Sequence, residues 1–285
     1  MRYKFLRFPG GKSKAVTLSY DDGVFEDFKL ADILTSYGFK GTFNLVGSTF
    51  KKDNIPPDEG FKTHILEKGH EIAVHGYFHR PEGTLRPIEG IRDVLDCRLD
   101  LEKRFDTIIR GMAYPDSGIL RFLNNASYES VKGYLSDLDI VYARTACGDN
   151  NLFMLPNDWH CWTPTAHHKN PKLAEYVEEF MNIDFSEKRY GSFRYPRLFY
   201  LWGHSYEFER ENNWEIIYDF CEKLSADKDI WCATNMEIYE YVTAYNSLVF
   251  SANEKKVYNP TLFDIWFDVD GTLYKIAPGE TINIE

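Results

Sequence analysis

The first 245 residues alternate strand-like and helix-like stretches, and this alternation restricts the fold more than any other feature. Ala15–Tyr20 puts Val16, Leu18 and Tyr20 on one face and Thr17 and Ser19 on the other, the period of a strand. Glu26–Tyr37 follows with Phe28, Ala31, Leu34 and Tyr37 at helical spacing, and stops at Gly38. Gly41–Val46 reads as a strand, Phe61–Lys68 as a short helix closed by Gly69, and Glu71–Val74 as a strand. Ile88, Ile91, Val94 and Leu95 mark a long helix running toward Phe105. Further strands are expected at Ile108–Ala113, Ile140–Arg144, Leu198–Trp202 and Ile230–Ala233, with helices at Lys172–Met181 and Trp214–Leu224. Repeated β/α units imply a parallel sheet, and about seven strands favour a deformed (β/α) barrel. In that fold chemistry gathers at the C-terminal ends of the strands, so the residues just after each strand carry the most weight.

Beyond Tyr245 the texture changes. Leu248–Phe250, Lys256–Tyr258, Phe263–Phe267, Thr272–Ile276 and Thr281–Ile284 read as short strands. The expected division is a barrel over residues 1–245 and a small β appendage over residues 246–285. Within the appendage, Asp268-Val-Asp270-Gly271-Thr272 resembles the D-x-D-G-T motif of haloacid-dehalogenase-type phosphatases. That fold needs a whole α/β domain after its motif, and only 13 residues follow Thr272. A hairpin with an Asp-Gly turn is the better reading.

Composition removes several classes of function. Asp and Glu total 44 against 33 Lys and Arg, a net charge of −11 that repels a phosphate backbone. No run of about 18 apolar residues is present to span a membrane. Met1–Lys14 has scattered Arg and Lys but no apolar signal-peptide core. The five cysteines, Cys97, Cys147, Cys161, Cys221 and Cys232, form no C-x-x-C pair and read as reduced thiols. Together these place the chain in the cytoplasm, as an expectation.

Three constellations follow strands. Asp21 and Asp22 sit side by side in Ser19-Tyr20-Asp21-Asp22-Gly23, where Gly23 permits the turn that brings both carboxylates to one site. Such a pair repels itself and calls for a cation nearby. His75 and His79 follow Glu71–Val74 at the i, i+4 spacing that puts two imidazoles on one face of a helical turn. With Asp22 they form a two-His, one-carboxylate set with open positions, suited to catalytic Zn²⁺ or to Fe²⁺. His204 follows the apolar run Leu198–Trp202, and an imidazole there suits a general acid.

With these residues in view, the sequence resembles the polysaccharide deacetylases, carbohydrate esterase family 4. The family motif T-F-D-D-G corresponds to Ser19-Tyr20-Asp21-Asp22-Gly23, its H-x-x-x-H motif to His75–His79, and its late Leu-x-His motif to Leu201-Trp-Gly-His204 with one extra residue. The likeness spans roughly residues 12–245. It implies a deformed (β/α) barrel and removal of an N- or O-acyl group from a carbohydrate with one divalent metal, zinc first and Co, Ni, Mn or Fe as substitutes. It further implies that Asp22, His75 and His79 hold the metal, that Asp21 is the general base and that His204 is the general acid. Tyr114 would supply a backbone N–H to the oxyanion, and Arg110 would stand in for the arginine that orients the base. Asp158-Trp159 is the candidate for the D-W motif lining the groove, with Trp162, His167, His168 and Trp202 as further substrate-binding candidates.

Aromatic residues make up 16% of the chain, and Tyr77, Phe78, Tyr114, Trp159, Trp162, Trp202 and Tyr206 fall in or beside these loops, where some could pack on sugar rings. The expected partner is an acetylated oligosaccharide or glycan precursor, with no nucleic acid and no membrane span; the oligomeric state is open. Two alternatives stand beside this reading: the same metal site acting on a non-sugar amide, and a degenerate site that only binds glycans.

Overall fold

The computed structural model describes residues 2–47, 56–146, 149–185 and 194–285. The chain opens with β1 (Lys4–Arg7) and then contributes the strands of one large sheet: β2 (Lys14–Asp21), β3 (Thr42–Leu45), β4 (Glu71–Val74), β5 (Gly111–Ala113), β6 (Tyr142–Arg144), β7 (Ala166–His167), β8 (Arg197–Gly203) and β9 (Ile230–Cys232). Their order is β6-β5-β4-β3-β2-β8-β7, with every pairing parallel. β9 pairs with Lys14–Val16 of β2 and β3 with Ser19–Asp21. Because β8 runs along the whole of β2, β3 and β9 share its other edge.

Helices lie between the strands: α1 (Glu26–Ser36), α2 (Asp58–Phe61, continuing as a π-helical turn over Lys62–Leu66), α3 (Pro87–Phe105), α4 (Tyr128–Asp137), α5 (Leu173–Met181), α6 (Ser205–Glu211), α7 (Glu215–Ser225) and α8 (Asn235–Asn246). None of the described helices is long and apolar enough to cross a membrane.

Segment 162–167 bridges the two edges of the sheet. Trp162 N–H donates to Ala143 O at 3.0 Å and Thr145 N–H to Trp162 O at 3.0 Å, while Thr165 N–H donates to Tyr200 O at 2.8 Å. The architecture is therefore the expected deformed (β/α) barrel.

The strand period sorts the two faces. On β2, Val16, Leu18 and Tyr20 pack outward in the helix-facing core with Leu30, Leu34 and Phe199. Its other face, which includes Thr17, Ser19 and Asp21, turns into the barrel, where these groups are fully or almost fully buried and hydrogen-bonded. There Thr17 Oγ1 donates to Asn235 Oδ1 at 2.8 Å and Asn44 Nδ2 to Ser19 Oγ at 2.7 Å. Near the opposite end Glu71 accepts from Tyr142 OH at 2.6 Å and from Thr42 Oγ1 at 2.9 Å. A polar lattice thus fills much of the barrel, its members hydrogen-bonded to one another, with Asn44 Oδ1 left without a partner among the described residues.

The C-terminal strands β10 (Val249–Phe250), β11 (Lys256–Tyr258), β12 (Ile265–Val269), β13 (Thr272–Ile276) and β14 (Thr281–Asn283) build two small antiparallel sheets. Their order is β1-β12-β13 and β10-β11-β14, so both ends of the chain contribute. Val257, Ile265, Phe267, Val269, Ile276 and Ile284 give the appendage its own core. Asp268 and Asp270 serve the hairpin: Asp268 pairs with Arg194 and accepts from Gly271 N–H, while Asp270 pairs with Arg2 at 2.9 Å. Positive φ at Asp270 (51°) and Gly271 (94°) makes the turn, and phosphatase chemistry has no place in it. Of the thiols, Cys97 and Cys221 are buried, Cys232 is partly buried and Cys161 is exposed; Cys147 lies outside the described residues.

Candidate active site

Strand ends bring the site together. Asp21 ends β2, His75 follows β4, Arg144 ends β6, and Trp202 is the penultimate residue of β8, two before His204. A cavity of about 290 Å³ opens among Asp21, Asp22, His75, His79, Tyr114, Asp116, Ala146, Trp202, His204 and Tyr206. Asp22 departs from the strand at φ 86° and Gly23 at 65°, which turns the second carboxylate toward the same space as the first.

His75 and His79 meet through a bend rather than the helical turn their spacing suggests. Gly76 (φ 73°) and His79 (φ 53°) fold the loop back. Asp93 of α3 holds it, accepting from Tyr77 N–H and Phe78 N–H at 3.0 Å each. A side chain on Gly76 would sit 2.6 Å from Asp93 Oδ2, so the close approach requires glycine.

Asp22 Oδ1 lies 3.4 Å from His79 Nε2 and 3.8 Å from His75 Nε2, and donor atoms of the three residues all fall within 4.8 Å of one another. His75 Nδ1 faces the carbonyl of Ala113 at 2.9 Å, and a carbonyl only accepts. The ring proton therefore sits on Nδ1 and leaves an Nε2 lone pair aimed at the carboxylates. Burial depresses the His75 pKa, which also keeps the ring neutral. These donors fit a divalent cation.

Asp21 is buried and doubly held. Its Oδ2 accepts from Arg144 Nη2 at 2.5 Å and its Oδ1 from Asn44 Nδ2 at 2.8 Å. Burial alone would raise its pKa; the Arg144 charge, the largest opposing influence, outweighs that and holds the carboxyl below its usual value. Arg144 is itself fully buried, with its guanidinium 4.4 Å from the Trp202 ring centroid.

His204 precedes α6, and Glu207 stands one turn on. Glu207 Oε2 lies 3.4 Å from His204 Nδ1, 3.2 Å from His167 Nε2 and 3.3 Å from His168 Nε2, so three imidazoles converge on one oxygen. Burial opposes protonation of His204, yet Glu207 and the Asp21 and Asp22 charges together raise its pKa. His167, His204 and Glu207 also have ligand atoms close enough to hold an ion. The proton arrangement argues otherwise. Lys169 N–H donates to His167 Nδ1 at 3.1 Å, which puts the proton of the neutral ring on Nε2, against Glu207. A metal on that Nε2 would force the proton onto Nδ1, into the Lys169 N–H.

Several expected residues lie elsewhere. Arg110 is at the other end of its strand and forms a fork with Asp139 at 2.8 and 2.9 Å, so it does not orient Asp21. Tyr114 borders the cavity, but its N–H donates to Arg144 O in the sheet ladder at 3.0 Å and is not available to an oxyanion. Pro115 has no N–H, so the next amide along this wall is that of Asp116, which has no partner among the described residues. Asp158 binds Tyr128 and Lys132, each at 2.7 Å, rather than His204. Trp159 packs edge-on against Trp162 and Tyr239, and Trp162 is fully buried, so neither lines the cavity. His167 and His168 surround Glu207 behind the cavity, and Trp202 lines it as expected.

Comparison with known proteins follows the same lines. Residues 9–130 match the family model described as polysaccharide deacetylase. That stretch, less than half of the chain, is similar to the polysaccharide deacetylase family. The matched stretch holds Asp21, Asp22, His75 and His79; Arg144, His204 and Glu207 lie beyond it. Among solved structures, the fold is similar to that of a Mycobacterium smegmatis protein assigned as a polysaccharide deacetylase, with 18% identity, 86% of this chain and 96% of that one covered, and a TM-score of 0.59. It is similar to the Xyl-CE4 domain of a multidomain xylanase from the hindgut metagenome of Trinervitermes trinervoides, at 14% identity, 82% and 92% coverage and a TM-score of 0.51. A mutant of a Bacillus anthracis CE4 family pseudoenzyme with restored enzymatic activity aligns at 16% identity, 82% and 70% coverage and a TM-score of 0.50. Curated proteins give no match. The fold thus places a carboxylate pair after β2 and a histidine pair after β4, with a buried arginine ending β6.

Proposed function

We propose that this protein is a metal-dependent hydrolase that removes an acetyl group from a carbohydrate. The observation that carries the reading is the convergence of Asp22, His75 and His79 beside an arginine-held Asp21, with a carboxylate-backed His204 on the same cavity. A divalent metal held by Asp22, His75 and His79, with zinc the first candidate, supplies an activated water and an electrophile for the acyl carbonyl.

The chain's own residues do the rest. Asp21, kept ionised by Arg144, accepts the proton of the attacking water at its carboxylate. The Asp116 N–H is the candidate backbone donor to the oxyanion, taking the place expected of Tyr114. His204, whose protonated form the Glu207 carboxylate 3.4 Å from Nδ1 favours, donates its Nε2 proton to the leaving nitrogen or oxygen. Trp202 and Tyr206 supply apolar wall on which a sugar ring can pack.

The deciding experiment is acetate release from a panel of N- and O-acetylated sugars by protein reconstituted with Zn²⁺, Co²⁺ or Mn²⁺. Metal-dependent release that disappears in His75→Ala supports the reading. Retained metal binding with no release from any acetylated sugar, while small amides are hydrolysed, would shift the assignment to a non-sugar amide.

A further inference from the structure

The cavity holds one carboxylate that the reaction does not use. Asp21 is spent on Arg144 and Asn44, and Asp22 belongs to the metal set with His75 and His79. Glu207 is spent on the imidazole cluster. Asp116 lines the same cavity at φ 49° and is exposed, and among the described residues nothing donates to its carboxylate or pairs with it. Asp116 therefore presents to whatever enters a carboxylate that no cation pairs with among the described residues.

Resting on the hydrolase reading above, we propose that Asp116 is a specificity residue that selects substrates carrying a protonated amine beside the acylated position, such as partly deacetylated amino-sugar oligomers, over substrates carrying a carboxylate. A carboxylate and an ammonium a few ångströms apart in a partly screened cavity attract by an amount equivalent to roughly a tenfold preference, and a uronate is repelled comparably. The left-handed backbone at Asp116 is one that Asn also adopts readily, so the charge can be removed without disturbing the turn.

The test uses three disaccharides that each carry one N-acetyl group, on N-acetylglucosamine joined to glucosamine, to glucose or to glucuronic acid. Acetate release is measured at neutral pH for the metal-loaded wild type and for Asp116→Asn. The expected result is a kcat/KM ratio between the amine and carboxylate substrates of about tenfold or more in the wild type, collapsing to within about twofold in the variant. An unchanged ratio in Asp116→Asn would overturn the proposal, because the bulk charge of −11 would then account for the preference. If no disaccharide is hydrolysed, the hydrolase reading fails first. Calorimetric binding of the di-glucosamine product to metal-loaded wild type and variant still decides Asp116: about tenfold weaker binding in the variant supports the role, and equal binding overturns it.

Discussion

Arg144 Nη2 donates to Asp21 Oδ2 at 2.5 Å, joining the end of β6 to the end of β2 across the barrel mouth. Both groups are almost completely buried, so each is the other's principal answer to the cost of desolvation. Arg144→Ala should therefore strand a buried carboxylate. The expected cost is about 3–5 kcal/mol of stability in chemical denaturation, with kcat/KM falling about 10- to 100-fold as Asp21 loses its orientation and its ionised form is disfavoured. Arg110→Ala removes a partly exposed pair with Asp139 and should change stability by less than about 1 kcal/mol and leave turnover intact. Full activity in Arg144→Ala would remove this arginine from the site.

That contrast shows what the sequence could and could not reveal. Side-chain alternation located β2 and short apolar runs located β4 and β8, because one face of β2 meets the helices while β4 and β8 are almost wholly buried. The motif residues fell where strand ends predict. Arg144 is equally visible as the last residue of an expected strand, but no local motif ties it to Asp21, which lies 123 residues away in sequence. Glu207 was hidden because α6 spans only Ser205–Glu211, too short for a periodic signal, although it sets Glu207 one turn from His204. α8 carried a legible start: Thr234 Oγ1 accepts Glu237 N–H, and the Glu237 carboxylate accepts Thr234 N–H, a capping box. Trp159 and Trp162 sit near a strand-end loop in sequence, yet the barrel's closing segment takes them into the core.

The two clusters with metal-ligand spacing should behave differently. Wild-type protein is expected to bind one divalent ion per chain, measured by elemental analysis after dialysis. His75→Ala and Asp22→Ala should lose it, whereas Asp21→Asn should keep it and lose turnover. His167→Ala should keep it too, since the Lys169 N–H commits that ring to the wrong tautomer for ligation. A second equivalent of metal that vanishes in His167→Ala would contradict this tautomer assignment.

Glu207 predicts a pH signature. A carboxylate beside His204 favours the imidazolium, which raises the pH at which the acid is lost. Stated with its sign, Glu207→Gln lowers the His204 pKa, so the basic limb of the pH–rate profile should move to lower pH while the acidic limb stays. The variant's kcat should fall most at alkaline pH. A uniform loss at every pH would instead indicate that Glu207 only supports the fold.

Glu71, at the opposite end of the barrel from the cavity, makes the last prediction. Burial raises its pKa from 4.5 to about 7, against the opposing hydrogen bonds from Tyr142, Met236 and Thr42. The folded state thus holds this proton between pH 4.5 and about 7, where the unfolded chain has already released it. Its contribution to stability is greatest below pH 4.5, declines as pH rises, and is lost above about 7, a swing on the order of 3 kcal/mol. Glu71→Gln cannot ionise and escapes that decline. Loss of hydrogen bonds will weaken the variant by a roughly constant amount, so the informative quantity is its stability relative to wild type across pH. Urea unfolding between pH 5 and pH 8 should show that difference moving in the variant's favour as pH rises. A difference independent of pH would mean that Glu71 is ionised throughout and satisfied by its hydrogen-bond donors.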